Sequence, residues 1–325
     1  MSIRLGVIGC GDIAHFHIPA FQKVGFYINC IASSPNSKKI EECAEKHNID
    51  NAYKDPKDLI NSDDWDALLI ISSIESTLSH LIDAEKYNKP IMVEKPVTLD
   101  YKKLKDIQYK KNIFVAFNRR FYSTVHEAKN FLKANQSSLI KVSIPERSIG
   151  PDNFNKFGSM LPYGVYENSV HVSDIINHIA GVPVWQKINS CNFKDKYSYI
   201  YASGKTKYGH DILLDLSFDS PMNFSIDILK NDQRYEMRPI EIGYKYNGMA
   251  INDPSEEIPI RRYMPNIDQT VFVNNKYDFL KPGFYEQAKA FYDFCEHYEL
   301  DSRLANLIDA KNALKVLHQL HQNKY

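Results

Sequence analysis

An apolar strand over residues 3–8 runs directly into Gly9-x-Gly11-x-x-Ala14 within a few residues of the N-terminus. This junction constrains the fold more than any other stretch. Gly9 permits a tight turn out of the strand, Gly11 removes the Cβ that would hold a pyrophosphate away, and Ala14 lets the next helix pack closely on the sheet. The backbone N–H groups of Gly11, Asp12 and Ile13 then face phosphates at the helix N-terminus. Glycine-rich turns are common, so the pattern draws its force from its setting. A strand precedes it, and the apolar helical face Ile13, Phe16, Ile18 and Phe21 follows.

Up to about residue 120, apolar runs alternate with helical patterns, the signature of a parallel sheet. Strands are expected at 3–8, 27–32, 67–71, 91–93 and 113–117, and helices near 13–23, 37–47, 55–61, 76–87 and 100–107. Beyond Phe121 a helix at 125–132 leads into strands that alternate polar and apolar residues, at 139–144, 212–218 and 223–229, as suits an antiparallel sheet with one covered face. A helix over 165–180 ends at Gly181. The stretch 249–275, with Asp253-Pro254, reads as a long loop with short strands, and 285–321 reads as two helices. The expected fold class is α/β: a doubly wound Rossmann sheet over 1–121, then an α+β domain over 122–325 with a large, mostly antiparallel open sheet. The final helices can pack back on the first domain.

A chain of 325 residues exceeds what one core usually supports, in keeping with two domains. Forty basic residues balance forty acidic ones without charge blocks, which argues against a nucleic-acid partner and for a small-molecule ligand. No apolar run approaches the roughly 20 residues of a membrane span, and the first residues form a core strand rather than a charged leader. A cytoplasmic protein with no membrane partner is expected. Cys10, Cys30, Cys43, Cys191 and Cys295 are scattered without C-x-x-C spacing, so they read as buried thiols rather than disulfides or metal ligands.

Glu94-Lys95-Pro96 follows the strand at 91–93, which puts Lys95 at the carboxyl edge of the sheet, where ligands bind in open α/β folds. Glu167-x-x-x-His171-x-x-Asp174 lies in the helix at 165–180. At about 100° per residue these three side chains fall within about 60° of one face. His178 lies further along and reads as structural. The second strand ends Ser33-Ser34 where NAD-preferring folds place a carboxylate on the ribose, and Lys38 and Lys39 follow. Hydroxyls and lysines repel a 2′-phosphate less, so NADP(H) is favoured over NAD(H). Arg119 and Arg120 end the fifth strand, and either an anionic substrate group or an ion pair bracing the domain junction would use them.

The chain resembles the Gfo/Idh/MocA oxidoreductase family, named for glucose-fructose oxidoreductase, inositol dehydrogenase and a rhizopine-catabolism protein. The resemblance rests on Gly6-Val-Ile-Gly-Cys-Gly-Asp-Ile-Ala14, Asp66-Ala-Leu-Leu-Ile-Ile71, Glu94-Lys-Pro96, Asn118-Arg-Arg-Phe121, the helix from Glu167 to Asp174, and Lys281-Pro-Gly-Phe-Tyr-Glu-Gln287. It implies that Lys95 and His171 are the catalytic pair, and that Pro96 follows a cis bond. On the helix two positions depart from the family pattern: Glu167 stands for the usual aspartate, and Ser169 for the usual glycine. Ser72 and Ser73 replace a common Thr-Pro beside the nicotinamide. The usual histidine just beyond aligns with Thr77, so His80, one turn later, is not a candidate. The resemblance also implies homodimers or homotetramers joined through the open face of the second sheet.

The chemistry of the pair is consistent with that role. Removing a hydride from an alcohol carbon requires the hydroxyl to lose its proton, and an imidazole is suited to take it near neutrality. His171 is the candidate base, Lys95 the cation that stabilises alkoxide charge, and Glu167 the carboxylate that orients the imidazole. Asp174, Arg120 and Tyr163 are candidate substrate ligands. Gly9, Gly11, Asp12, Ile13, Ser33, Ser34, Ser72, Ser73, Glu94 and Lys95 are the candidate cofactor contacts. No third ligand accompanies the E-x-x-x-H spacing, so no metal is expected. The resulting expectation is an oxidoreductase acting on a hydroxyl carbon of a sugar, nucleotide sugar or cyclitol. Two rival readings are a glycoside hydrolase that recycles NAD and a non-catalytic dinucleotide sensor.

Overall fold

The computed structural model describes all residues except 1, 36, 38, 106, 108–109, 133–136, 147–165, 194–195 and 323–325. Its first sheet is built from the apolar runs. β1 (Arg4–Ile8), β2 (Tyr27–Ala32), β3 (Asn51–Tyr53), β4 (Ala67–Ile70), β5 (Ile91–Val93) and β6 (Ile113–Val115) pair in parallel, in the order β3-β2-β1-β4-β5-β6. Every residue of β4, β5 and β6 is buried, as expected for parallel strands covered on both faces. The edge strand β3 is short and largely exposed, so no apolar run announces it. Chain order reverses between β1 and β4, the switch point outside whose carboxyl ends ligands bind in such sheets.

Helices α1 (Ala14–Val24), α2 (Ile40–His47), α3 (Pro56–Asn61) and α4 (Ile74–Glu85) connect these strands. Local chemistry sets their ends. Pro56 opens α3 behind Asp55, whose carboxylate accepts the Lys57 N–H at 2.8 Å, and Gly25 closes α1 in the left-handed conformation. The inward face of α1 differs from expectation. Phe16 is 41% exposed, whereas His17 is 1% exposed because it finds a carboxylate partner inside. The helix expected at 100–107 is only a 3₁₀ segment, Tyr101–Lys105, in which Leu104 is the single buried apolar anchor among lysines.

The second sheet contains β7 (Leu139–Glu146), β8 (Pro183–Phe193), β9 (Lys196–Thr206), β10 (Asp211–Phe218), β11 (Ser225–Lys230), β12 (Gln233–Met237), β13 (Ile242–Asn252) and β14 (Arg262–Phe272). Their order is β14-β13-β12-β11-β7-β10-β9-β8, and all neighbours are antiparallel except β7 and β10. Alternate residues Ile140, Val142, Ile144, Ile212, Leu214, Leu216, Ile226 and Ile228 are buried. α5 (Ser123–Leu132) packs against α6 (Tyr166–Ala180), and α6 packs on β7.

The stretch 249–275 corrects the loop expectation, because most of it belongs to the long β13–β14 hairpin. β14 has no buried residue, and β13 is exposed over its second half. No covered face imposes an apolar alternation there, and Asp253-Pro254 marks only the hairpin's turn.

By Cα proximity, one unit comprises Met1–Phe121 with Asn274–Lys315, and the other Tyr122–Val273 with Val316–Tyr325. The stretch 274–315 thus groups with the parallel sheet. It holds α7 (Phe284–His297) and the start of α8 (Leu307–Gln322). Aromatic contacts fasten α7 to the first unit, among them Phe114 to Phe294 at 4.7 Å and Phe26 to Tyr292 at 5.0 Å between ring centroids.

Candidate functional site

A cleft of about 670 Å³ opens in the first unit at the carboxyl ends of β1, β2 and β4. Its lining includes Gly9, Gly11, Ile13, Ser33, Ser34, Ser72 and Ser73 among the residues expected from sequence. The glycines contribute in different ways. Gly9 has φ +117°, and a Cβ there would lie 2.5 Å from the Ile71 carbonyl oxygen, so the turn itself demands glycine. A Cβ on Gly11 would meet no atom within 4 Å and would project into open space. Among the described residues, the N–H groups of Gly11, Asp12 and Ile13 donate no hydrogen bond, which leaves three donors at the start of α1. A phosphate-bearing dinucleotide fits this arrangement.

The side of the cleft beyond β2 is rich in hydroxyls. Ser33 Oγ lies 3.2 Å from Cys10 Sγ, and Ser37 Oγ lies 3.2 Å from the same sulfur. Lys39 also lines the cleft, and its Nζ sits 3.6 Å from Asp12 Oδ1, with both side chains largely exposed. Lys38 lies outside the described residues.

Past β4, Ser72 Oγ lies 3.1 Å from Thr77 Oγ1 and 3.1 Å from His80 Nδ1. His80 also lines the cleft, one turn beyond Thr77, although the family resemblance does not mark it as a candidate. Burial holds its pKa below the usual histidine range. Its signal was present in the chain: in the first turns of α4, residues 73, 76 and 80 recur at the three- and four-residue spacing of one helical face.

Glu94 and Lys95 follow β5 but are not among the residues lining this cleft. Glu94 Oε2 meets His17 Nε2 at 2.9 Å, and its other oxygen lies 4.0 Å from Lys95 Nζ. The Glu94 and Lys95 side chains are each 14% exposed. Glu94 therefore lies between a buried imidazole of α1 and the lysine ammonium. Sequence reading missed His17, whose place on the helix suggests nothing without the facing carboxylate. The Lys95–Pro96 peptide bond is cis.

In the second unit, α6 carries Ser169, His171, Ser173 and Asp174, all buried. Glu146 at the end of β7 is also buried. Its carboxylate accepts the Ser169 N–H at 3.3 Å and the Ser169 hydroxyl. The Glu167 side chain and Tyr163 lie outside the described residues. His178, read as structural, lies 3.2 Å from Lys129 Nζ.

Arg120 is 3% exposed, and its Nη1 meets Asp309 Oδ2 at 3.3 Å within the first unit. It does not line the cleft, and an ion pair inside one unit tests neither of its two expected roles. The cysteines divide: Cys10, Cys30 and Cys43 are buried, Cys295 is half-buried, and Cys191 is exposed, contrary to expectation for that residue. β8 places Cys191 near the end of the sheet, outside its covered part. Burial pushes the Cys43 thiol up to about 11, and it raises those of Cys30 and Cys295 as well.

Known proteins resemble this chain in sequence and in fold. Over 191 residues the chain is 26% identical to a myo-inositol 2-dehydrogenase of Thermotoga maritima, and the alignment takes in 56% of each chain. The chain thus spans just over half the length of that curated relative. The fold as a whole matches an oxidoreductase of Thermotoga maritima with a TM-score of 0.77 at 16% identity, over 98% of this chain and 96% of that one. It also matches a levoglucosan dehydrogenase solved with NADH and levoglucosan, with a TM-score of 0.76 at 15% identity, over 100% of this chain and 98% of that one. The model of the oxidoreductase family with an NAD-binding Rossmann fold, GFO_IDH_MocA, matches residues 3–112, the span that contains both the glycine turn and Glu94-Lys95-Pro96. Over that span the chain is similar to the GFO_IDH_MocA oxidoreductase family, whose model describes an NAD-binding Rossmann fold.

Proposed function

We propose that this protein is a nicotinamide-dependent dehydrogenase or reductase acting on a CH–OH group of a sugar, nucleotide sugar or cyclitol. The observation that carries the reading is the cleft of the first unit, where an open Gly11 and three free N–H donors meet a polar ribose end. The bound cofactor supplies the hydride acceptor or donor, and the protein's residues manage protons and charge. His171 takes the hydroxyl proton as general base in the oxidative direction and returns it in the reductive one. Lys95, oriented by Glu94, stabilises negative charge developing on the substrate oxygen. Glu167 orients the imidazole, and Asp174 and Tyr163 hold substrate hydroxyls. Inositol and levoglucosan dehydrogenases among the similar proteins support a polyhydroxylated substrate.

NADP(H) is the preferred cofactor in this reading. Ser33, Ser34 and Lys39 line the cleft where a carboxylate would repel a 2′-phosphate. Expected operation is in the cytoplasm as a homodimer or homotetramer, joined through the exposed side of the second sheet, where Ile251 is 58% and Tyr263 59% exposed. The functional test is a pair of variants. Lys95→Met and His171→Ala should each lower turnover by roughly 100-fold or more while cofactor affinity stays nearly unchanged. Near wild-type turnover in His171→Ala would remove that residue from the mechanism.

A further inference from the structure

Glu146 is a buried carboxylate that bonds twice to one residue of the helix that carries His171. At about 100° per residue, Ser169, Val172, Ser173 and Ile176 share one side of α6, while His171 and Asp174 occupy the other. The two serines keep that first side short, and α6 packs on β7. At the end of β7, one oxygen of Glu146 accepts both the backbone N–H and the hydroxyl of Ser169. A carboxylate near the first turn of a helix also meets the positive end of the helix dipole. Charge-assisted bonds of this kind are short and directional, and a buried carboxylate held by them resists displacement.

We infer that Glu146 and Ser169 form a positioning pair, which fixes the rotation and height of α6 on the sheet and thereby the direction in which His171 leaves the helix. Neither residue needs to touch substrate. The pair acts through the helix, since rotating α6 about its axis moves a side chain on the far side by the largest arc. A displacement of about 1 Å at a reacting group costs on the order of 100-fold in rate, so a partial loosening is visible in turnover. The hydroxyl at residue 169 and the carboxylate at 146 are then a matched set, and removing either one releases the same constraint.

The test compares Ser169→Ala, Glu146→Gln and the double variant, with Asn168→Ala as a control at an exposed neighbour on α6. The kinetic arm rests on the dehydrogenase reading. Each single variant should lower kcat by about tenfold with cofactor KM changed less than about twofold, and the double variant should be no worse than the poorer single one, as for residues acting through one contact. The second arm needs no activity. In protein with isotope-labelled histidine, the His171 imidazole resonances should move in Ser169→Ala and Glu146→Gln and stay in place in Asn168→Ala. Ser169→Ala removes only a hydroxyl, and its melting temperature verifies that the fold is retained. Unmoved His171 resonances in folded Ser169→Ala and Glu146→Gln would overturn the inference, as would single-variant kcat losses that multiply in the double variant. Absent turnover in the wild-type protein would count against the dehydrogenase reading, while the resonance shifts would still decide the pair.

Discussion

Two glycines separated by a single residue illustrate how differently one residue type serves a site. Gly9 is fixed by its own backbone, since any side chain would collide with the Ile71 carbonyl at a φ of +117°. Gly11 has open space around its Cβ position, so the constraint on it comes from what enters the cleft. The two therefore separate in experiment. Gly11→Val should abolish nicotinamide cofactor binding with a nearly unchanged melting temperature, whereas Gly9→Ala should lower stability by a few kcal/mol, as strained backbone positions do. Equal cofactor affinity in folded Gly11→Val, read by fluorescence titration, would contradict the assignment of the cleft. At the same scale, Ser33→Asp should reverse a preference for NADPH over NADH by placing a carboxylate against the 2′-phosphate. A clear NADH preference in the unmutated protein would overturn the weight given to Ser33, Ser34 and Lys39.

Secondary-structure elements bring titrating groups together in ways that the linear chain hides. Burial holds His47 at the end of α2 and His80 on α4 below the ordinary histidine range, and the nearby His15 lowers His47 further. Between the lowered folded value and the ordinary value of about 6.5, the unfolded chain binds more protons than the folded one. Stability therefore rises with pH across that window and is lost as pH falls below about 6.5. The wild-type melting temperature should drop on acidification, and His47→Gln should drop less over the same range. An identical drop in both would show that His47 does not carry this linkage.

The elements of the first unit were largely legible, because fully buried parallel strands write continuous apolar runs and the glycine turn marks where they lead. The strands of the β13–β14 hairpin were not, since a sheet region exposed on both sides leaves no alternation to read. The candidate site divides in the same way. Lys95 and Ser33 could be placed by their distance from a strand end, which chain order preserves. His17, His80 and Glu146 owe their places to facing partners: a carboxylate after β5, a serine after β4 and a serine on α6. Those partners are distant in sequence or belong to a different face than expected, so only the fold reveals the pairings.

At the scale of the whole molecule, one unit carries a cleft that fits a dinucleotide and the other carries a helix with a buried histidine. The open second sheet suggests self-association, and light scattering after size exclusion should give a mass of two or four chains, which Tyr263→Asp and Ile251→Asp should reduce. A monomeric mass for the unmutated protein would contradict that expectation. Net hydride transfer at a hydroxyl carbon, the proposed reaction, is separable from cofactor-recycling glycoside cleavage, which would place the same residues around the same cofactor. The direct measurement incubates the purified protein with oxidised NADP or NAD and a panel of sugars, nucleotide sugars, cyclitols and aryl glycosides, following the reduced-nicotinamide absorbance alongside glycoside release. A dehydrogenase should give reduced cofactor in step with substrate oxidised and leave glycosidic bonds intact. Glycoside cleavage with an unchanging cofactor spectrum would contradict that reading.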